Sequence, residues 1–212
     1  MKLAEMLAGQ PKVYAGIGSR ESPPMVLAVL ELLAVRLARG GFVLRSGGAP
    51  GADTAFETGS DRAGGSKEIY LPWKGFNGNR SERYVIPKEA FALAEEFHPL
   101  GRGLHEKPAV HKLMARNCQQ MLGQNLDSPI AFVVCWTSGG RLLGGTAQAL
   151  RIARERGIQV ANLGDALTMR EISSELNLER ELERSRRGLA GVTLPLALDG
   201  IDRESRGPML DL

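Results

Sequence analysis

The sequence predicts an α/β fold, a parallel sheet flanked by helices with a helical C-terminal extension, on three observations. Short apolar runs recur at 13–18, 42–46, 68–72, 129–136 and 158–163. Stretches with apolar residues three or four positions apart separate most of them, long enough for crossover helices rather than hairpin turns. Glycine-rich loops follow the first, second and fourth runs, where a strand would hand over to a helix. Strand and helix alternating at this spacing imply parallel pairing through right-handed crossovers.

A short N-terminal helix precedes the first strand, Val13-Tyr-Ala-Gly-Ile-Gly18, whose unbroken apolar character suits a strand buried on both faces. Ser22 is expected to cap the next helix, with Pro23 and Pro24 in its first turn, while Val26, Leu30, Leu33 and Leu37 make its inward face. Gly40-Gly41 ends it. The second strand, Phe42 to Ser46, leads through a glycine loop to a helix near Ala52 to Ala63, and Glu68 to Pro72 is the third strand. From Trp73 to Pro108 the chain is irregular and polar around one short helix, PKEAFALAEEF. Ala109 to Gly123 is an amphipathic helix, and Pro129 to Trp136 is the strongest strand signal in the chain. A second glycine loop, Thr137 to Thr146, then feeds a helix from Ala147 to Arg156 and the strand Ile158 to Leu163.

The core fold is therefore expected to end near Gly164, giving a domain at 1–166 and a helical extension and tail at 167–212. Thr168-Met-Arg-Glu has the form of a capping box, and Glu183 with Arg187 is an i,i+4 pair on the exposed face of the helix that follows. Gly188 to Leu212 lacks periodicity and is expected to be a tail or an arm for a partner protein.

Bulk properties narrow the function. A chain of 212 residues with 43% apolar content suits one well-packed domain plus an extension. The longest apolar stretch, Met25 to Leu37, is broken by Glu31 and Arg36, and MKLAEMLAGQPK carries an acid and is too short for a secretory signal, so no membrane partner and a cytoplasmic location are expected. The net charge of +3 comes from mixed rather than blocked residues, which permits a nucleic acid without requiring one. Cys118 and Cys135 fall on a helix and a buried strand and are expected to be inert core thiols. His98, His105 and His111 have poor spacing for one helix face, so neither a metal nor a cofactor is expected.

Chemistry is expected where three loops meet the strand ends. Gly16 and Gly18, Gly47, Gly48 and Gly51, and Gly139 and Gly145 would let backbone N–H groups approach an anion. Ser19, Ser46, Ser138 and Thr146 add hydroxyls, and Arg20 adds a bidentate cation. One such loop alone would read as a tight turn; three together read as a phosphate site. Neither a Walker A loop nor a spaced GxGxxG is present, so ATP hydrolysis and dinucleotide binding are not supported, and no catalytic residue is assigned. Asp53 is open to two readings, helix cap or ligand contact, and Trp73, Lys74, Phe76 and Asn77 to base stacking or loop packing.

GSRESP, SGGAPGAD, the ARN of Ala115 to Asn117, and VVCWTSGG with GGTAQAL, in this order over about residues 12 to 164, resemble the Rossmann-like SLOG superfamily. That superfamily includes the DNA-processing DprA proteins and the lonely guy phosphoribohydrolases. The DprA pattern is the nearer, matched at Gly18-Ser-Arg20, at Ser46 to Asp53, at Arg116-Asn117, and at Ser138-Gly139 with Thr146-Ala147. The resemblance implies a pocket for the phosphates and bases of a nucleotide or single-stranded DNA, with Arg116 and Asn117 in it, a homodimer, and a role in DNA processing or recombination. It departs at Pro50, where that loop usually has an arginine. The lonely guy pattern PGGxGTxxE implies a catalytic glutamate where this chain has Ala149, with Arg116 in the arginine's place. Two alternatives accompany the DprA-like reading: a nucleoside 5'-monophosphate phosphoribohydrolase using Asp53 or Glu57, and a small-nucleotide sensor.

Overall fold

The computed structural model describes residues 2–8, 10–142 and 144–176. It divides the chain into a compact unit, Met1–Leu176, and a second, Asn177–Leu212. The expected Glu183–Arg187 pair and the tail from Gly188 lie outside the described residues.

Five strands form one all-parallel sheet: β1 (Val13–Gly18), β2 (Val43–Ser46), β3 (Lys67–Ile69), β4 (Phe132–Trp136) and β5 (Gln159–Asn162), in the order β3-β2-β1-β4-β5. The helices between and around them are α1 (Leu3–Ala8), α2 (Pro24–Arg39), α3 (Ala52–Arg62), α4 (Lys88–Phe97), α5 (Pro108–Leu122), α6 (Thr146–Glu155) and α7 (Ala166–Glu175). The α/β class, the parallel sheet and helices toward the C-terminus are as the sequence predicts, with every strand but β1 shorter than its apolar run.

Alternation along β1 assigns the two layers. Tyr14 faces α2 and α3, where its ring lies 5.8 Å from that of Phe132 and 6.2 Å from that of Phe56. Ala15 and Ile17 face the opposite way, into a cluster with Val133, Cys135, Ala115, Cys118 and Ile152 under α5 and α6. On α2, Val26, Val29, Leu30, Leu33 and Leu37 are buried at helical spacing, and truncating a fully buried leucine such as Leu30 to alanine costs about 2–5 kcal/mol. Burial pushes both cysteine thiols up to about 12, which leaves them unreactive.

Two expected caps are corrected. The residue before α2 is Pro23, without a side-chain cap, and the Ser22 hydroxyl donates to the Ser19 carbonyl at 2.9 Å. At α7 the cap is Asp165, whose carboxylate accepts from the Thr168 N–H at 2.9 Å. Asp165-Ala-Leu-Thr thus starts the helix one turn earlier than Thr168-Met-Arg-Glu would, an aspartate being a stronger cap than a threonine. No helix among the described residues is long and apolar enough to cross a membrane.

Candidate functional site

From β1 the chain moves outward through β2 to β3, then returns to place β4 on the other side of β1. The connections after β1 and β4 therefore diverge at the carboxyl end of the sheet, leaving a crevice between them. It is a cleft of about 490 Å³, lined by Ile17 to Glu21, by Ala49 and Asp53, by Leu113, Met114, Arg116, Asn117 and Gln120 of α5, and by Thr137, Ser138, Gly144, Gly145, Thr146 and Ala149.

Nine of the residues singled out in the sequence line this cleft: Gly18, Ser19, Arg20, Asp53, Arg116, Asn117, Ser138, Gly145 and Thr146. Six others do not, and four of them have structural work. A side chain at Gly16 would strike the Phe56 ring, so this glycine lets α3 approach β1. The Ser46 hydroxyl is fully buried and donates to the Gly16 carbonyl at 2.7 Å. Gly48 accepts from Asn77 through its carbonyl, and Gly51 sits at φ 81 with the Ser19 and Arg20 carbonyls where a Cβ would be. Gly47 is separated from the cleft by Arg116, whose guanidinium occupies the space of the missing Cβ. Gly139 lies on the exposed turn Ser138–Gly140.

Asp53 neither caps α3 nor stands free. The cap position is Gly51, and the Asp53 carboxylate accepts from the N–H groups of Gly47 at 3.2 Å and Ala49 at 3.3 Å. It thereby closes the loop after β2 on itself. Burial nevertheless dominates, raising its pKa to about 6 against the opposing pull of Arg116 and the backbone N–H groups.

Two buried arginines show how differently a cation can be held. Arg45, on β2, donates to Glu68 at 2.6 Å and to the carbonyl and hydroxyl of Ser128. Arg116, equally buried on α5, has Asp53 as its nearest carboxylate at 3.9 Å, beyond hydrogen-bond reach, and its Nε has no partner among the described residues. Desolvation lowers its pKa to about 10, with Arg20 adding repulsion, and it remains cationic at neutral pH. The Phe76 ring lies behind it at 6.0 Å from the guanidinium carbon.

Phe76 is thereby placed in the packing under the loop, with Ala49, Ile69 and Leu71, and Asn77 secures Gly48. Trp73 is half-exposed against the edge of Phe76 and, like Lys74, does not line the cleft. Glu57 does not line it either; its carboxylate accepts from Asn79.

Gln120 is the main residue sequence reasoning missed. Its Nε2 is buried without a partner, beside Arg116 on the cleft floor. Arg116, Asn117 and Gln120 fall at i, i+1 and i+4 on the polar side of α5, which amphipathicity alone would turn to solvent, but every residue from Met114 to Leu122 is buried. Asn117 is partnered, donating to the Gly145 carbonyl at 3.2 Å and so tying α5 to the start of α6.

No family model and no curated protein matches the chain. Among solved structures it is similar to a DNA processing protein A from Helicobacter pylori, described for its single-stranded DNA binding mode, at 19% identity and a TM-score of 0.45 over 74% of this chain and 67% of that one. It is also similar to DNA processing protein A from Streptococcus pneumoniae, at 16% identity and a TM-score of 0.34 over 76% of this chain and 61% of that one. Neither similarity bears on which residues do what.

Proposed function

We propose that the cleft binds the phosphate of a nucleotide, free or as one unit of single-stranded DNA, and that the protein has a DprA-like, non-catalytic role in DNA processing or recombination, acting as a homodimer. The observation that supports this reading most is that Arg116, which lines the cleft, is a buried cation whose Nε has no partner among the described residues. A buried cation without a hydrogen-bonded anion is costly, and a phosphate oxygen is the acceptor that offsets that cost. Arg20, Ser19, Ser138 and the N-terminus of α6 add donors around it, while Leu113, Met114 and Ala149 offer an apolar wall to a base.

Charge favours a single phosphate over a long polyanion. Arg20 and Arg116 are matched on the cleft wall by Glu21 and Asp53, so there is no continuous basic track. Titration with a nucleoside 5'-monophosphate, the bare nucleoside and a thymidine oligomer at several salt concentrations tests the reading. The monophosphate should bind at least about tenfold more tightly than the nucleoside, as a charge-assisted hydrogen bond requires. Arg116→Gln should remove that difference. A steep salt slope for the oligomer would identify DNA as the larger ligand. Unchanged binding in both Arg116→Gln and Arg20→Ala would overturn the site.

A second reading has its own observation. Asp53 lines the cleft with its pKa raised to about 6, a value suited to acid–base work, whereas Ala149, where the lonely guy resemblance implies a glutamate, presents only a methyl group. Release of free base from a nucleoside monophosphate, abolished by Asp53→Asn, would establish that reading in place of the first.

A further inference from the structure

The three histidines of this chain are spread over fourteen positions, from His98 to His111, yet the fold brings two of them onto one carboxylate. Glu95 projects from the last turns of α4, His105 from the 3₁₀ turn Gly101–Glu106, and His111 from the first turn of α5. Glu95 Oε1 lies 2.9 Å from His105 Nε2 and 3.3 Å from His111 Nε2. All three donor atoms fall within 4.8 Å of one another.

We propose that Glu95, His105 and His111 form a binding site for a divalent transition-metal ion of the zinc class. Zinc takes imidazole nitrogen and carboxylate oxygen at about 2.1 Å, so neighbouring donors on its tetrahedron stand about 3.4 Å apart. The two separations to Glu95 are already close to that value, and side-chain adjustment of the third, which lies within 4.8 Å, would admit the ion. The surroundings are those of a built site. His111 is held edge-on against Phe91 at 5.0 Å between ring centroids and against His105 at 5.1 Å. Its side chain is 8% exposed and that of Glu95 20%, while that of His105 is 65% exposed. Two donors are thus fixed in the protein, and the third stands at the surface, where it can admit the ion and leave a fourth position to water.

Binding would replace the imidazole contacts of Glu95 with bonds from all three side chains to the ion. It would also pin the 3₁₀ turn to α4 and α5, the helix that carries Arg116 five residues further on. The donor set, one carboxylate and two imidazoles, selects zinc, cobalt or nickel over calcium or magnesium, which prefer oxygen.

The test is a titration of the full-length, tag-free chain, stripped of metal by a chelator, with Zn2+ in competition with a chromogenic chelator. Co2+ is added separately and followed by its visible absorption. The expected result is a single equivalent bound with micromolar or tighter affinity, tetrahedral cobalt bands, and a Tm raised by zinc. His105→Ala should weaken binding at least about tenfold and abolish the Tm shift, because it removes a direct ligand whose alteration even indirectly costs that much. The exposure of His105 keeps the fold out of the comparison, and its Tm without metal verifies this. His98→Ala should bind as the unaltered chain does. Millimolar binding, less than one equivalent, or equal binding by His105→Ala and the unaltered chain would show that Glu95 only accepts hydrogen bonds from two imidazoles. None of these outcomes depends on the nucleotide reading of the cleft.

Discussion

Two glycine loops follow neighbouring parts of the sheet, Ser46 to Asp53 after β2 and Ser138 to Thr146 after β4, and each carries a serine, paired glycines and a helix start. In the first loop the polar groups are spent internally. Ser46 donates to Gly16, the N–H groups of Gly47 and Ala49 reach Asp53, and that of Ala52 reaches the Ser19 carbonyl at 3.2 Å. In the second, Ser138, Gly139, Gly144 and Gly145 are exposed, and α6 begins at Thr146 without a side-chain cap. The difference comes from one carboxylate. Asp53 supplies the first loop with an acceptor of its own, whereas the first turn of α6 contains no acid and no side-chain cap, and its Ala147 N–H turns back to the Gly144 carbonyl at 3.3 Å. On the reading proposed above, a glycine loop is thus a wall in one place and the seat for the phosphate in the other.

The largest test of this contrast is the pH dependence of stability conferred by Asp53. Its folded pKa of about 6 lies above the ordinary 3.8, so between these values the folded state holds more proton than the unfolded one. Its contribution is therefore complete below pH 3.8 and is lost as pH rises through about 6. Two units correspond to roughly 3 kcal/mol. Urea denaturation of the unaltered chain and of Asp53→Asn, at steps from pH 4 to 7, should show their stability difference shifting against the unaltered chain by about that amount. A flat difference would mean that the loop's N–H groups and Arg116 hold the carboxylate as well as water does, and the wall would be unstrained.

The next test acts through Gly47. A Cβ there would coincide with Arg116 Nη1, so Gly47→Ala must expel the guanidinium from its place above the loop. Nucleotide affinity should fall by about 2 kcal/mol, some thirtyfold, the scale of a lost charge-assisted hydrogen bond. Calorimetric titration with a nucleoside monophosphate measures this. If affinity holds, the phosphate sits only on the β4 side of the cleft, and Arg116 has no part in it.

The sheet was legible because its signals are local and repeated: five apolar runs, each separated from the next by a crossover, leave little freedom in strand number or direction. The end of the sheet that carries the cleft was legible for the same reason. Which loop faces outward was not, since serine and glycine fix a turn but not the destination of its N–H groups. That depends on Asp53 folding back over four and six residues to Ala49 and Gly47. Arg116 was singled out only through the resemblance of Arg116-Asn117 to the DprA pattern, because the burial of α5 on every side from Met114 to Leu122 is not announced by its amphipathic spacing. The Glu95, His105 and His111 cluster gave no signal, because spacing along the chain says nothing about α4 and the 3₁₀ turn packing against the start of α5.

The finest test sets the two serines against each other, one substitution in each loop. Ser46→Ala removes the buried hydroxyl that donates to the Gly16 carbonyl, and it should cost about 1–2 kcal/mol of stability with little change in nucleotide affinity. Ser138→Ala alters an exposed side chain on the cleft rim and should leave stability within about 0.5 kcal/mol, while weakening nucleotide binding by about 1 kcal/mol, roughly fivefold. Denaturation midpoints and binding isotherms on the same two proteins decide between wall and seat. The crossed pattern is the informative outcome: a loop whose donors are internally satisfied shows its loss in folding, and a loop whose donors await a ligand shows it in binding. If both serines moved the same quantity, the two loops would be alike in function as well as in composition, and the role assigned to Asp53 in separating them would fail.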